Sequence, residues 1–145
     1  MNINNVSFGK IFKVNAPYVL ASEIALIANG YGAFASASLK NQVKEIFPDK
    51  NDDVYAYADV DRKTYLFSGK EGEKFRQIRK KALDEIHDAR RYFKNTDYGD
   101  YYSDKACMER DRAVAEMING AKNIQEINVN TETGSNAIKS INLIA

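Results

Sequence analysis

The sequence predicts an α+β fold in which helices cover one face of a small antiparallel sheet. Short segments rich in β-branched and aromatic residues alternate with longer segments whose apolar residues recur every three or four positions. The chain has 145 residues, with 8 glycines and 2 prolines, and no Pro/Gly/Ser-rich stretch divides it. We therefore expect residues 1–145 to form one α+β domain.

The first half is expected to contain a strand at 8–14, a helix from Pro17 to Asn29, a second helix ending before Pro48, and strands at 54–60 and 63–67. Asn29-Gly30 is typical of a left-handed helix end, and Pro48 cannot continue a helix. Asp61-Arg62 lies between the two strands, which predicts a hairpin turned at those two residues. That register would place aromatic residues on both faces of the hairpin and leave one aromatic face exposed.

The second half is expected to contain a helix from 72 to about 94, a tyrosine-rich connector at 95–104, a helix from 104 to 119, and strands near Val129 and at 138–145. The longest helix is the clearest, because its apolar residues form one stripe: Phe75, Ile78, Ala82, Ile86, Ala89 and Phe93. The order β-α-β-β-α-α-β-β begins like the split β-α-β units of ferredoxin-like folds, which is a finer prediction of topology.

Composition excludes several classes of protein. There are 21 basic and 20 acidic residues, so the whole chain is not a polyanion-binding sequence. One cysteine and one histidine exclude an internal disulfide and multi-Cys or multi-His zinc sites, and we expect no cofactor. No uncharged run reaches the ~20 residues of a membrane span. We expect no membrane partner and a cytoplasmic location.

One flank of the long helix is basic. At about 100° per residue, seven basic residues occupy a sector roughly 40° to 160° from Phe75: Arg76, Arg79, Lys80, His87, Arg90, Arg91 and Lys94. Such a flank either follows the phosphates of a nucleic acid or is a solvated face whose long stems cover the edge of the core. The adjoining tyrosines either bind a partner or pack over the core.

The leading hypothesis is a non-catalytic binding or regulatory protein whose partner is another protein. Its candidate surface combines the basic flank with the tyrosine connector: Arg76, Lys80, His87, Arg91, Lys94, Tyr98, Tyr101 and Tyr102. A second hypothesis is nucleic-acid binding through the same flank. A homodimer formed through an exposed sheet face is a further alternative.

The third hypothesis is a metal-dependent phosphoryl-transfer enzyme or nuclease. Asp59 and Asp61 form an Asp-x-Asp pair near a strand end, where both carboxylates would point the same way. Paired carboxylates of this kind hold Mg²⁺ in phosphoryl-transfer sites. Because Asp61 is also suited to a turn, we interpret the pair as a weak metal candidate and expect a protein without catalytic activity.

Overall fold

The computed structural model describes residues 11–32, 35–49, 53–94, 96–130 and 137–144. The elements are, in order, β1 (Ile11–Asn15), α1 (Tyr18–Ala28), α2 (Ala37–Ile46), β2 (Tyr55–Ala58), β3 (Thr64–Phe67), α3 (Gly69–Tyr92), α4 (Asp97–Asn119), β4 (Ile124–Asn130) and β5 (Ala137–Ile144). The predicted α+β class is confirmed. The start of the predicted first strand, at residues 8–10, lies outside the described residues.

The strands form one mixed sheet in the order β2-β3-β1-β4-β5. Strand β1 pairs antiparallel with β3 and parallel with β4, while β2–β3 and β4–β5 are antiparallel hairpins. The ferredoxin-like topology is not confirmed. The sequence predicts an antiparallel sheet, whereas the observed sheet is mixed. The difference lies in β4, which pairs with β1 in parallel, and in β5, which extends the sheet beyond β4.

Helices α1 and α2 pack on one face of the sheet around a buried core. Phe12 and Val14 alternate along β1 toward this face, and Ile24 of α1 and Val43 of α2 are fully buried against it. Helix α1 ends where predicted, because Gly30 adopts a positive φ of 92° that costs glycine little.

Amide side chains bind backbone groups beside both edge strands. Just before β2, the amide of Asn29 donates to the carbonyl oxygen of Val54 at 2.9 Å and accepts from its N–H at 2.8 Å. On β5, the amide of Gln42 makes the same pair of bonds with Ile138, each at 2.9 Å. Each amide occupies backbone groups that would otherwise be open to another chain.

The predicted register of the β2–β3 hairpin is wrong by one residue. The turn extends from 59 to 63, so Tyr57 lies opposite Tyr65 and Tyr55 lies opposite Phe67. Cross-strand partners share a face, and the aromatic side chains therefore lie on one face instead of two. Tyr57, Tyr65 and Phe67 are all buried. The expectation that this hairpin leaves an aromatic face exposed is wrong.

The described residues divide into two compact units, one containing the sheet with α1 and α2, and the other residues 74–120. The second unit consists of most of α3 and all of α4. Helix α4 begins at Asp97, so the predicted tyrosine connector is largely helical. Among the described helices, none combines the length and apolar character required to cross a membrane.

Candidate interaction surface

The end of α3 and the start of α4 form a tight corner. The carbonyl oxygen of Phe93 accepts hydrogen bonds from the N–H of Thr96 at 3.2 Å and from its hydroxyl at 2.8 Å. Gly99 lies against the same oxygen, since a Cβ atom there would be 2.8 Å from it. Asp97 and Asp100 lie in the first turn of α4, where carboxylates interact favourably with the helix dipole. These features explain why helix begins before Gly99.

Four aromatic rings at this corner contact one another, and we call them the aromatic cluster: Phe93, Tyr98, Tyr101 and Tyr102. The ring centroids of Phe93 and Tyr102 are 5.3 Å apart in a stacked pair, and those of Tyr101 and Tyr102 are 5.2 Å apart, edge to face. These rings remain exposed, by 66% for Tyr98, 61% for Tyr101 and 42% for Tyr102. The cluster is therefore ordered by its own contacts while much of its surface faces solvent.

A groove of about 350 Å³ lies on one side of this corner, and we call it the acidic groove. Its lining residues are Glu85, Asp88, Ala89, Tyr92, Phe93, Tyr102, Lys105, Ala106 and Glu109. Ala89 and Ala106 are buried, whereas the three carboxylates outnumber the single ammonium. The groove thus combines small apolar residues, aromatic rings and net negative charge.

A second groove, of about 910 Å³, lies on the basic side of α3, and we call it the mixed-charge groove. Its lining residues are Ile86, Arg90, Phe93, Lys94, Thr96, Asp97, Gly99, Asp100, Ser103, Asp104 and Cys107. The two cations on the α3 side share this space with three carboxylates of α4. At this end of the basic flank, the cations are therefore surrounded by carboxylates and do not face solvent alone.

The structure separates the sequence-predicted surface into parts. Of the basic flank, Lys94 lines the mixed-charge groove, while Arg76, Lys80, His87 and Arg91 are exposed and line none of the grooves described here. The ammonium of Lys80 pairs with the carboxylate of Asp84 at 3.1 Å, one turn along the helix. Such an exposed pair contributes little stability.

The tyrosines are placed apart from most of that flank. Tyr102 lines the acidic groove, whereas Tyr101 lines a third space, of about 610 Å³, beside α4 with Met108 and Arg112. Tyr98 contacts Phe93 in the aromatic cluster. Of the grooves that involve α3, Tyr102 therefore borders the acidic one.

Sequence reasoning missed Tyr92, Phe93 and Glu109 as surface residues. The helical spacing places Phe93 in the apolar stripe of α3, yet its side chain is 37% exposed. One signal could have revealed the surface, because Tyr98, Tyr102 and Lys105 recur at helical spacing through the predicted connector. Extending α4 backward on that spacing places Tyr102 and Glu109, seven residues apart, on the same face of the helix about two turns apart.

Asp59 has a structural role at the β2–β3 turn. Its carboxylate Oδ1 accepts from the N–H groups of Asp61 and Lys63 at 2.9 and 2.8 Å. These bonds close the turn in which Arg62 adopts a φ of 63°. Among the described residues, no group of three or more His, Cys, Asp or Glu side chains is placed to hold a metal ion. The spacing of Asp59 and Asp61 is therefore explained by the turn in which they lie.

Ionisation of the Tyr65 phenol is expected to lower the stability of the folded protein at alkaline pH. Its burial, with a smaller contribution from the Asp59 carboxylate, raises its pKa above the ordinary value of 10.0. The folded state therefore retains this proton to higher pH than the unfolded chain does. The resulting stability is fully present below pH 10.0 and is lost as the pH rises through the folded-state pKa.

The free energy of unfolding, measured by urea denaturation at neutral pH and again above pH 10.0, would test this loss of stability. The wild type should lose more stability between the two conditions than Tyr65→Phe, which has no phenol to ionise. Tyr18→Phe, at an exposed position, should match the wild type. Equal losses in the wild type and Tyr65→Phe would contradict the prediction.

No protein-family model, curated protein or solved structure matches this chain.

Proposed function

We propose that this protein is a non-catalytic binding protein that captures a protein partner through the aromatic cluster at the α3–α4 corner. The observation that supports the proposal best is that the rings contact one another and yet stay exposed. Covering them would gain about 25 cal/mol for each Å² of apolar area removed from water. Because their mutual contacts already limit their motion, a partner would lose less conformational entropy in ordering them.

Tyrosine is also a residue type that dominates binding energy at protein interfaces. It supplies a large contact area with few rotatable bonds, together with a hydroxyl that can hydrogen-bond at the rim. Met108 of α4 lines the same space as Tyr101 and adds an adaptable apolar side chain. These features support a protein partner over a small-molecule substrate.

Nucleic-acid binding through the basic flank has less support. Lys80 already pairs with Asp84, and Lys94 shares its groove with three aspartates, which would repel phosphates. A nucleic-acid partner would show affinity that falls steeply with salt and depends on Arg76 and Arg91, whereas binding through the aromatic cluster would depend weakly on salt.

A random peptide library displayed on phage tests the proposed function. We expect peptides to be enriched on the wild type and to bind Tyr98→Ser/Tyr102→Ser at least about tenfold more weakly, because hot-spot tyrosines each contribute more than about 1 kcal/mol. The matched control is Tyr18→Ser/Tyr31→Ser, which removes two exposed tyrosines outside the cluster and should leave binding unchanged.

Two results would overturn the proposal. One is an absence of enriched peptides, and the other is equal binding to the wild type and the Tyr98→Ser/Tyr102→Ser variant. Salt-sensitive capture of a duplex or single-stranded oligonucleotide, lost on charge reversal of Arg76, Lys80 and Arg91, would instead identify the basic flank as the binding surface.

A further inference from the structure

The acidic groove has the composition of a site for a positively charged chain segment. Ala89 of α3 and Ala106 of α4 are 4% and 2% exposed, so small side chains leave space between the two helices. Tyr92, Phe93 and Tyr102 supply aromatic rings along the groove. An aliphatic stem can lie against these groups without a polar atom losing its solvent.

The charges around the groove are unbalanced. Glu85 and Asp88 of α3 and Glu109 of α4 face one ammonium, that of Lys105, within a chain whose formal net charge is +1. Within the part of the chain that the structure describes, none of these three carboxylates forms a hydrogen bond or an ion pair. They can therefore accept hydrogen bonds from a bound cation without first releasing a partner.

The aromatic rings favour the same charge. A guanidinium or ammonium within about 6 Å of an aromatic ring is attracted by its electron-rich face, and arginine makes this contact most often. The α3 helix already shows such a contact, since the guanidinium of Arg79 lies 5.7 Å from the centroid of Phe75. Rings and carboxylates in one groove thus select for arginine over an acidic or neutral side chain.

We propose that the acidic groove binds an arginine-containing amphipathic peptide segment of a partner protein. This inference rests on the proposed function and specifies the partner's chemistry. The aliphatic part of the arginine lies along Ala89, Ala106 and the rings, and its guanidinium pairs with the carboxylates of Glu85, Asp88 or Glu109. Apolar residues of the same segment cover the aromatic cluster.

Two defined peptides test the inference on the full chain. One is a short amphipathic peptide of leucine and arginine, and the other has glutamate in place of every arginine. Each carries a fluorophore, and binding is followed by fluorescence anisotropy. We expect the arginine peptide to saturate the protein and the glutamate peptide to show no binding, because like charges at an interface are repelled.

A matched pair of triple variants locates the site. Glu85→Gln/Asp88→Asn/Glu109→Gln should weaken binding of the arginine peptide by roughly tenfold, since each exposed charge pair contributes some tenths of a kcal/mol. Asp97→Asn/Asp100→Asn/Asp104→Asn removes the same charge from the mixed-charge groove and should change affinity by less than about threefold.

Lys105→Glu adds a gain of affinity that misfolding cannot imitate. Replacing the one cation of the groove by an anion should tighten binding of the arginine peptide by roughly two- to fivefold. Weaker or unchanged binding by this variant contradicts the inference. Three other results would also contradict the inference: binding of the glutamate peptide, an equal effect of the two triple variants, or no binding of the arginine peptide.

The design separates failure of this inference from failure of the proposed function. If the arginine peptide does not bind but library peptides still require Tyr98 and Tyr102, the partner chemistry is wrong and the binding function stands. If library binding does not require these rings, both proposals fail. Light scattering tests whether a second copy of this chain occupies the groove instead. Association that rises with protein concentration and is abolished in the Glu85/Asp88/Glu109 variant would assign the groove to self-association.

Discussion

Replacing Phe67 by alanine is expected to lower the free energy of unfolding by about 3–5 kcal/mol. Its ring is fully buried on β3 and lies 6.1 Å from the ring of Tyr57 and 6.3 Å from that of Tyr65, centroid to centroid. Truncation removes the buried apolar surface and leaves a cavity, because close-packed neighbours relax only partly. The effect would establish the hairpin aromatics as core residues rather than a platform for stacking bases.

Amide hydrogen exchange of the β1 and β3 residues measures this loss, because it reports on the sheet separately from α4. Phe67→Leu is the milder variant and should cost less than about 1.5 kcal/mol. Tyr31→Ala, at an exposed position, should stay within about 0.5 kcal/mol of the wild type. A cost below about 1 kcal/mol for Phe67→Ala would contradict the buried assignment.

Gly99→Ala is expected to destabilise the α3–α4 corner by about 1–3 kcal/mol. Alanine normally stabilises a helix relative to glycine by about 1 kcal/mol. Here the new Cβ would lie 2.8 Å from the carbonyl oxygen of Phe93. That oxygen cannot move freely, because Thr96 donates two hydrogen bonds to it. The start of α4 must therefore shift, and the tyrosines shift with it.

Amide hydrogen exchange of α4 measures the loss of stability, and near-ultraviolet circular dichroism reports on the rings. The chain has 9 tyrosines and no tryptophan, so the near-ultraviolet signal is not masked by indole. We expect Gly99→Ala to reduce this signal and to weaken binding of library peptides to the aromatic cluster.

A double-mutant cycle with Thr96→Ala tests the cause. Removing the Thr96 hydroxyl frees the Phe93 carbonyl from one of its hydrogen bonds, so the carbonyl can yield to the new Cβ. The double variant should therefore be more stable than the sum of the single changes predicts, by about 0.5 kcal/mol or more. Strict additivity, or a Gly99→Ala variant more stable than the wild type, would contradict the steric argument.

The long helix illustrates what the sequence reveals well. Its apolar stripe predicts helix over 72–94, and α3 extends over Gly69–Tyr92. Helical phase also places Arg90 and Lys94 on the basic flank, and they line a different groove from Glu85 and Asp88. Helical phase is local, so one sequence is sufficient to predict it.

The tyrosine segment illustrates what the sequence conceals. Gly99 among tyrosines favours a loop by propensity, yet the segment is helical because the missing side chain allows α4 to approach the Phe93 carbonyl. The hairpin register was missed for a similar reason. Asp59 binds two backbone N–H groups and lengthens the turn, and a shift of one residue moves each side chain to the other face.

The sequence by itself determined the α+β class, the positions of most elements and the charged flanks of α3, because these properties follow from repeats of two or 3.6 residues within short segments. Only the tertiary structure decided that β4 runs parallel to β1, that Phe67 is core, and that Glu109 of α4 joins Glu85 of α3 in one groove. These outcomes depend on contacts between residues far apart in the chain, whose geometry no local pattern encodes.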